Sequence, residues 1–161
     1  MDVLIYFIFF GIPLATVAFF ASSLIKYLDA KKNNAQPQEL KKRISTLTVV
    51  TYSMGVFTLL KDMPGYRLIL LGGQYIPQED SFFGQLTLDT LDSLHVQKSF
   101  VFPSAISLDH GIWGFEETLY PLQQKLLHCC DQAYILADSS KFERTALFKV
   151  ADMRPEYIYV T

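Results

Sequence analysis

The feature that most constrains this chain is a run without charge. VLIYFIFFGIPLATVAFFASSLI, residues 3–25, contains no Asp, Glu, Lys or Arg, whereas charges are spread through everything from Lys26 onward. Its 23 residues, wound as a helix at about 1.5 Å each, would reach roughly 34 Å, enough to cross a hydrocarbon core of about 30 Å. A core helix of that length would ordinarily show a polar stripe, so the run predicts a membrane span, in which Gly11 and Pro13 are tolerated. A cleaved leader would need a basic start and a shorter apolar core, yet Met1 is followed by Asp2, which predicts an uncleaved anchor. Lys26, Lys31, Lys32, Lys41, Lys42 and Arg43 all lie on the C-terminal flank. By the positive-inside rule, the chain beyond the span faces the cytoplasm. The expectation is one bacterial inner-membrane span within residues 1–28, touching the membrane through residues 3–25.

DAKKNNAQPQELKKR, residues 29–43, is polar and lacks an apolar period, so residues 29–45 are expected to form a basic linker. Beyond it the text changes rhythm, and residues 46–161 are expected to form one domain. LTVVT (47–51), RLILL (67–71), KSFVF (98–102), AYILA (133–137) and YIYV (157–160) read as strands. Between them, Val56, Leu59, Leu60 and Met63 fall at helical spacing behind a Ser53 cap. Leu88, Leu91 and Leu94 mark a helix over 82–95, and Leu119, Leu122, Leu126 and Cys129 a further one. Apolar strands alternating with helices predict an α/β fold with a Rossmann-like parallel sheet, preceded by the transmembrane helix.

In such sheets ligands bind outside the carboxyl ends of the strands. Those ends here read Thr51-Tyr52-Ser53, Leu71-Gly72-Gly73, Pro103-Ser104-Ala105 and Asp138-Ser139-Ser140-Lys141. Glycine lets a ligand approach the backbone, Ser and Thr supply hydroxyls, helix N-termini offer amides to an anion, and Lys141 adds positive charge. The same residue types also terminate strands and cap helices, and Asp138 has the chemistry of a cap for the turn near Lys141.

Taken in order, LTVVTYSMGVFTLL, LILLGGQY, SFFGQLTLDTLDSL and ILADSSKF resemble the C-terminal effector-sensing domain of the DeoR family of bacterial transcription repressors. The resemblance covers roughly residues 46–161. It implies a fold related to sugar-phosphate isomerases, a role in carbohydrate-linked transcription regulation, and a phosphorylated sugar or related metabolite as effector. By motif it places Thr51, Ser53, Gly72, Gly73, Gly84 and Lys141 at or beside the ligand, with Asp138 next to Lys141. It implies no cofactor and no catalytic residue.

The departures from the family are as informative. A full member begins with a DNA-binding winged helix-turn-helix, for which the span and linker leave no room. With a net charge of −2 and a pI near 5.9, no direct nucleic-acid binding is expected. The family also carries a strand and an Asp-x-Gly-Thr-Thr phosphate loop ahead of LTVVT, both expected to be missing here. Tyr52 stands where the family usually shows Asn, and relatives continue beyond YIYVT.

Three readings compete. The chain is a membrane-tethered sensing domain with weak sugar-phosphate binding, alone or in a homo- or hetero-oligomer with full-length relatives. It is an inactive gene-fusion remnant. Or it is an isomerase-like enzyme using Asp138, His110 or Glu116 as acid and base.

Other constellations are weak. His95, His110 and His128 lack metal spacing, and Cys129-Cys130 on a helix would diverge by about 100°, so both thiols are expected to be buried. Leu71-Gly72-Gly73 lacks the spacing of a dinucleotide loop. Trp113 and Phe115 have the chemistry of a pocket lid or of ordinary core.

Overall fold

A computed structural model of the chain describes the backbone of residues 3–6 and, in full, residues 47–62 and 66–161. Its elements in chain order are β1 (Val3–Tyr6), β2 (Leu47–Thr51), α1 (Met54–Leu60), β3 (Arg67–Leu70), β4 (Gln74–Ile76), β5 (Ser81–Phe83), α2 (Gln85–Asp92), β6 (Val96–Val101), β7 (Ala105–Ser107), β8 (Gly111–Gly114), α3 (Tyr120–His128), β9 (Cys130–Leu136), β10 (Phe148–Ala151) and β11 (Ile158–Val160). Among the described residues, six strands form one sheet in the order β11-β9-β6-β1-β2-β3, and every neighbouring pair is parallel.

That order corrects the expectation for the N-terminus. Val3–Tyr6, where the sequence predicts the start of a membrane helix, is instead the strand between β2 and β6, with Val3 opposite Leu47 and Tyr6 opposite Val50, and Ile5 opposite Lys98. Backbone groups engaged with a parallel neighbour on each side cannot at the same time begin a bilayer helix. Among the described residues no helix is long and apolar enough to cross a membrane. The single-span, inner-membrane placement is therefore corrected, and a membrane contact through residues 3–25 is not shown. The physical reason is that a central parallel strand, covered on both faces, is as uniformly apolar as a span. The rest of the apolar run, residues 7–25, and the expected linker at 29–45 lie outside the described residues. The strand expected to be missing ahead of LTVVT is present as β1.

The other parallel strands lie where apolar β-branched runs place them, β2 residue for residue. Alternation sends their side chains to two faces. Leu47 and Val49 meet Val56 and Leu60 of α1, with Phe100 and Phe102 beside them. On the opposite face Val50, Val101 and Ile135 pack with Leu91 of α2 and Leu122 and Leu126 of α3. Burying each such side chain contributes about 1.5–3 kcal/mol. α1 begins as expected, the Ser53 hydroxyl oxygen accepting from the Val56 amide. α2 is shorter than expected because Ser81–Phe83 is taken by β5.

Two small antiparallel units stand where the sequence predicts loops. β4 and β5 form a hairpin, and β7, β8 and β10 form a three-stranded sheet in the order β10-β8-β7. LDHGIWGFEE, which reads as a loop entering a helix, contains β8. Strands of three or four residues carry too little alternation to register in a sequence.

The central placement of β1 makes a direct prediction. Ile5→Pro removes a ladder donor from a strand flanked on both sides, where proline is not accommodated. It should destabilise the full chain by about 1–3 kcal/mol, the cost of leaving a buried ladder acceptor without its bond, read from the midpoint of chemical denaturation. An unchanged midpoint would contradict the central position.

Candidate functional site at the carboxyl ends of the strands

From β1 the chain winds outward through β2 to β3, then returns to the other side of β1 as β6 and winds outward again through β9 to β11. In a parallel sheet such a reversal leaves a crevice outside the carboxyl ends of the two strands where it occurs, because the connections on either side depart in opposite directions. By that rule the crevice of this sheet belongs over the ends of β1 and β6, with β2 and β3 on one flank and β9 on the other.

The β2 flank is dense. Thr51 is fully buried, and its hydroxyl oxygen accepts from the Ser53 amide at 3.1 Å. Ser53, 4% exposed, caps α1. The β4–β5 hairpin folds over this strand end. The Met54 amide donates to the Asp80 carbonyl at 2.8 Å, the Phe82 amide donates to the Tyr52 carbonyl at 2.9 Å, and Ser53 and Ser81 form an isolated antiparallel bridge. The Tyr75 hydroxyl donates to the Asp80 carboxylate at 2.7 Å. This bond, with some burial and Asp80's own charge, raises the Tyr75 pKa.

The glycines beside β3 have different jobs. Gly72 gives its carbonyl to the Thr87 hydroxyl at 2.7 Å, which ties β3 to the start of α2. Gly73 has φ +152, and a Cβ there would lie 2.3 Å from Thr87 Oγ1 and 2.5 Å from the Phe83 carbonyl oxygen, so it is required for close packing. Gly84 has φ +103 and precedes α2, yet a Cβ would meet nothing within 4 Å. It provides no side-chain cap to that helix. No side chain caps the first-turn amides of α2, and a helix N-terminus favours an anion.

On the β9 flank, Asp138 caps the 3-10 turn Ser139–Lys141, its carboxylate accepting from the Ser140 amide at 2.8 Å. The hydroxyl and amide of Ser140, aided by the charge of Lys141, hold the Asp138 pKa below the usual carboxylate value. Next to the turn, Phe142 bridges Ile106 of β7 and the Arg144 amide donates to the Ile106 carbonyl, which anchors the Lys141 segment to the small sheet after β6.

The structure thus gathers Thr51, Ser53, Gly72, Gly73 and Gly84 on one flank and Asp138 and Lys141 on the other. At about 4.8 Å per strand, the end of β9, which leads into the Lys141 turn, lies roughly 14 Å from the end of β2 and 19 Å from that of β3. They stand at or after the carboxyl ends of strands on either side of β1 and β6, rather than forming a single cluster. Sequence reasoning misses Glu79, Asp80, Ser81 and Thr87, because their hairpin reads as a loop. Thr87 in particular is indistinguishable in sequence from any helical threonine.

His110 and Glu116 lie beyond opposite ends of β8, about 20 Å apart along an extended chain, so they do not converge as an acid and base. A groove of about 660 Å³ between α2 and α3, lined by Asp92, His95, Lys125, His128 and Cys129, sits at the amino-terminal ends of β6 and β9. Its charges are paired, Lys125 with Asp92 and His95 with Asp131, and two helix C-termini disfavour an anion there. Cys129 and Cys130 are half-buried and free, a correction to the expected full burial. Burial, together with the neighbouring Cys130, pushes the Cys129 thiol up to about 11.

A sequence profile described as the DeoR C terminal sensor domain matches residues 35–161. The chain is 36% identical over 106 residues to the L-fucose operon activator of Haemophilus influenzae, covering 66% of this chain and 43% of that protein. It is 29% identical over 114 residues to the HTH-type transcriptional repressor GlcR of Bacillus subtilis, covering 71% and 44%. With the lactose phosphotransferase system repressor of Lactococcus lactis it shares 32% over 107 residues, covering 66% and 42%. The chain spans less than half the length of these relatives, which are transcription regulators by name.

Two measurements check the site's chemistry. Gly73→Ala should cost about 2–3 kcal/mol, since overpacking adds to an unfavourable φ, whereas Gly84→Ala should cost about 1 kcal/mol for its φ alone; equal losses on denaturation would contradict the packing assigned to Gly73. Cys129 should react with iodoacetamide about a hundredfold more slowly at pH 8 than a thiol at its ordinary pKa, followed by peptide mass analysis.

Proposed function

The chain belongs to the DeoR family through its C-terminal sensor domain, and on that premise we propose that it is the effector-sensing layer of a sugar-responsive transcription regulator. Its ligand is a phosphorylated sugar or a sugar-derived phosphate, bound in the crevice over β1 and β6. The observation that supports this reading is the reversal of strand order between β1 and β6, with α2 lacking a side-chain cap on the β3 side and Lys141 in the turn that follows β9. Such a crevice suits an elongated, hydroxylated anion better than a compact one, because its two anion-favouring features lie well apart.

Ser53 and Asp138 act here mainly as caps. They hold strand ends and turns in place, while the Ser53 hydroxyl, whose oxygen accepts from α1, still has its hydrogen to donate. The role is recognition and not turnover, in keeping with the separation of His110 from Glu116. The chain's net charge of −2 gives it no net electrostatic attraction for a duplex, so its influence on transcription passes through ligand occupancy rather than through its own contact with DNA.

Isothermal calorimetry of the full chain against glucose 1-phosphate, glucose 6-phosphate, fructose 1-phosphate, fructose 6-phosphate, inorganic phosphate and glucose tests the proposal. At least one hexose phosphate should bind, and more tightly than either phosphate or the sugar alone. Lys141→Met should weaken it about tenfold or more by removing a charge-assisted contact. Absence of heat with every phosphorylated sugar, from a folded sample, would overturn the reading.

A further inference from the structure

Tyr52 is at odds with its surroundings. It directly follows β2, one strand from the crevice, and is fully buried in the core cluster with Leu71, Phe83 and Leu91. Its ring lies 5.3 Å from that of Phe83 at a tilt of 55°, so packing fixes the phenol's body. Yet its hydroxyl, closed to solvent, has no hydrogen-bond partner among the described residues. Buried hydroxyls are almost always paired, since an unmade bond forfeits the hydration it replaced. A phenylalanine would fill the same space without that penalty.

The covering layer supplies the second half of the observation. The turn Pro77–Glu79, with Asp80 at φ 45 behind it, closes over this strand end. Glu79 places a carboxylate oxygen that is also shielded from solvent within electrostatic reach of the phenol. Burial first, and the Glu79 charge second, keep the phenol protonated, so it remains a donor. An enclosed phenol donor of this kind matches an alcohol group, whose oxygen accepts from it.

We propose that Tyr52 is a specificity-determining residue of the sensing site, whose hydroxyl reads one hydroxyl group of the bound sugar when the Pro77–Asp80 turn lifts to admit it. This deepens the function proposed above and rests on it. A site built to pair an alcohol discriminates strongly against a ligand lacking it, because the donor meant for that alcohol is then left without its bond.

Tyr52→Phe removes only the hydroxyl. In the full chain it should leave the ligand-free melting temperature unchanged or higher. It should weaken the best-binding hexose phosphate of the panel about tenfold or more, with inorganic phosphate affected less than twofold. On the wild type, one monodeoxy analogue of that hexose phosphate should show the same loss, and that analogue should bind wild type and variant alike. A melting temperature lowered by several degrees would show that the hydroxyl has a structural partner such as a buried water, and would overturn the proposal. So would unchanged hexose-phosphate affinity, or an equal loss for inorganic phosphate. If the wild type binds no phosphorylated sugar, the sensing function itself fails and this inference with it; if it binds one and Tyr52→Phe binds equally, only this inference fails.

Discussion

The structure depends on the hydrogen-bond ladder that holds Val3–Tyr6 between β2 and β6. Without it the two halves of the sheet would present two open edges, each a row of unmade backbone donors and acceptors. With it, strands on either side of β1 wind in opposite directions, and the crevice over their carboxyl ends is a consequence of topology. The position of every polar strand end relative to that crevice is set by this one strand. An apolar sequence is what the position demands, since both faces of a central parallel strand are covered.

Around the crevice, capping competes with ligand binding for the same atoms. The Ser53 oxygen is engaged with the Val56 amide and the Asp138 carboxylate with the Ser140 amide, so two residues with ligand-like chemistry mainly shape the backbone. The Asp80 carbonyl takes up a further amide at the start of α1. What remains open is the start of α2 behind Gly84 and the ammonium of Lys141, one on each flank. Thr87 connects the first of these to the sheet, by holding the end of β3 to α2. Gly73 permits that approach because any side chain would meet Thr87 and Phe83.

How much of this is legible in the sequence depends on scale. LTVVT marks β2 because five apolar or β-branched residues between turn signals have few alternatives, and Ser53 announces α1 by its spacing from Val56. The DeoR resemblance, carried by ILADSSKF and LILLGGQY, points to the family to which the chain belongs. The first strand is hidden because VLIY merges into nineteen further uncharged residues, and periodicity cannot separate a covered strand from a span. The β4–β5 hairpin and the β7–β8–β10 sheet are hidden by their brevity, and with them the neighbours of Tyr52. In sequence Tyr52 registers as a departure from the family pattern, but only the packing of Phe83 and the turn at Glu79 shows that its hydroxyl is enclosed and unpaired among the described residues.

Backbone amide hydrogen exchange across Val3–Tyr6 in the full chain tests the central claim most directly. With β1 laddered on both sides, the hydrogen-bonded amides of this segment should be protected to the level of those in Leu47–Thr51 and Val96–Val101, opening only with the whole sheet. Exchange at the rate of an unstructured peptide, while β2 and β6 stay protected, would place the segment outside the sheet and remove the crevice from the account.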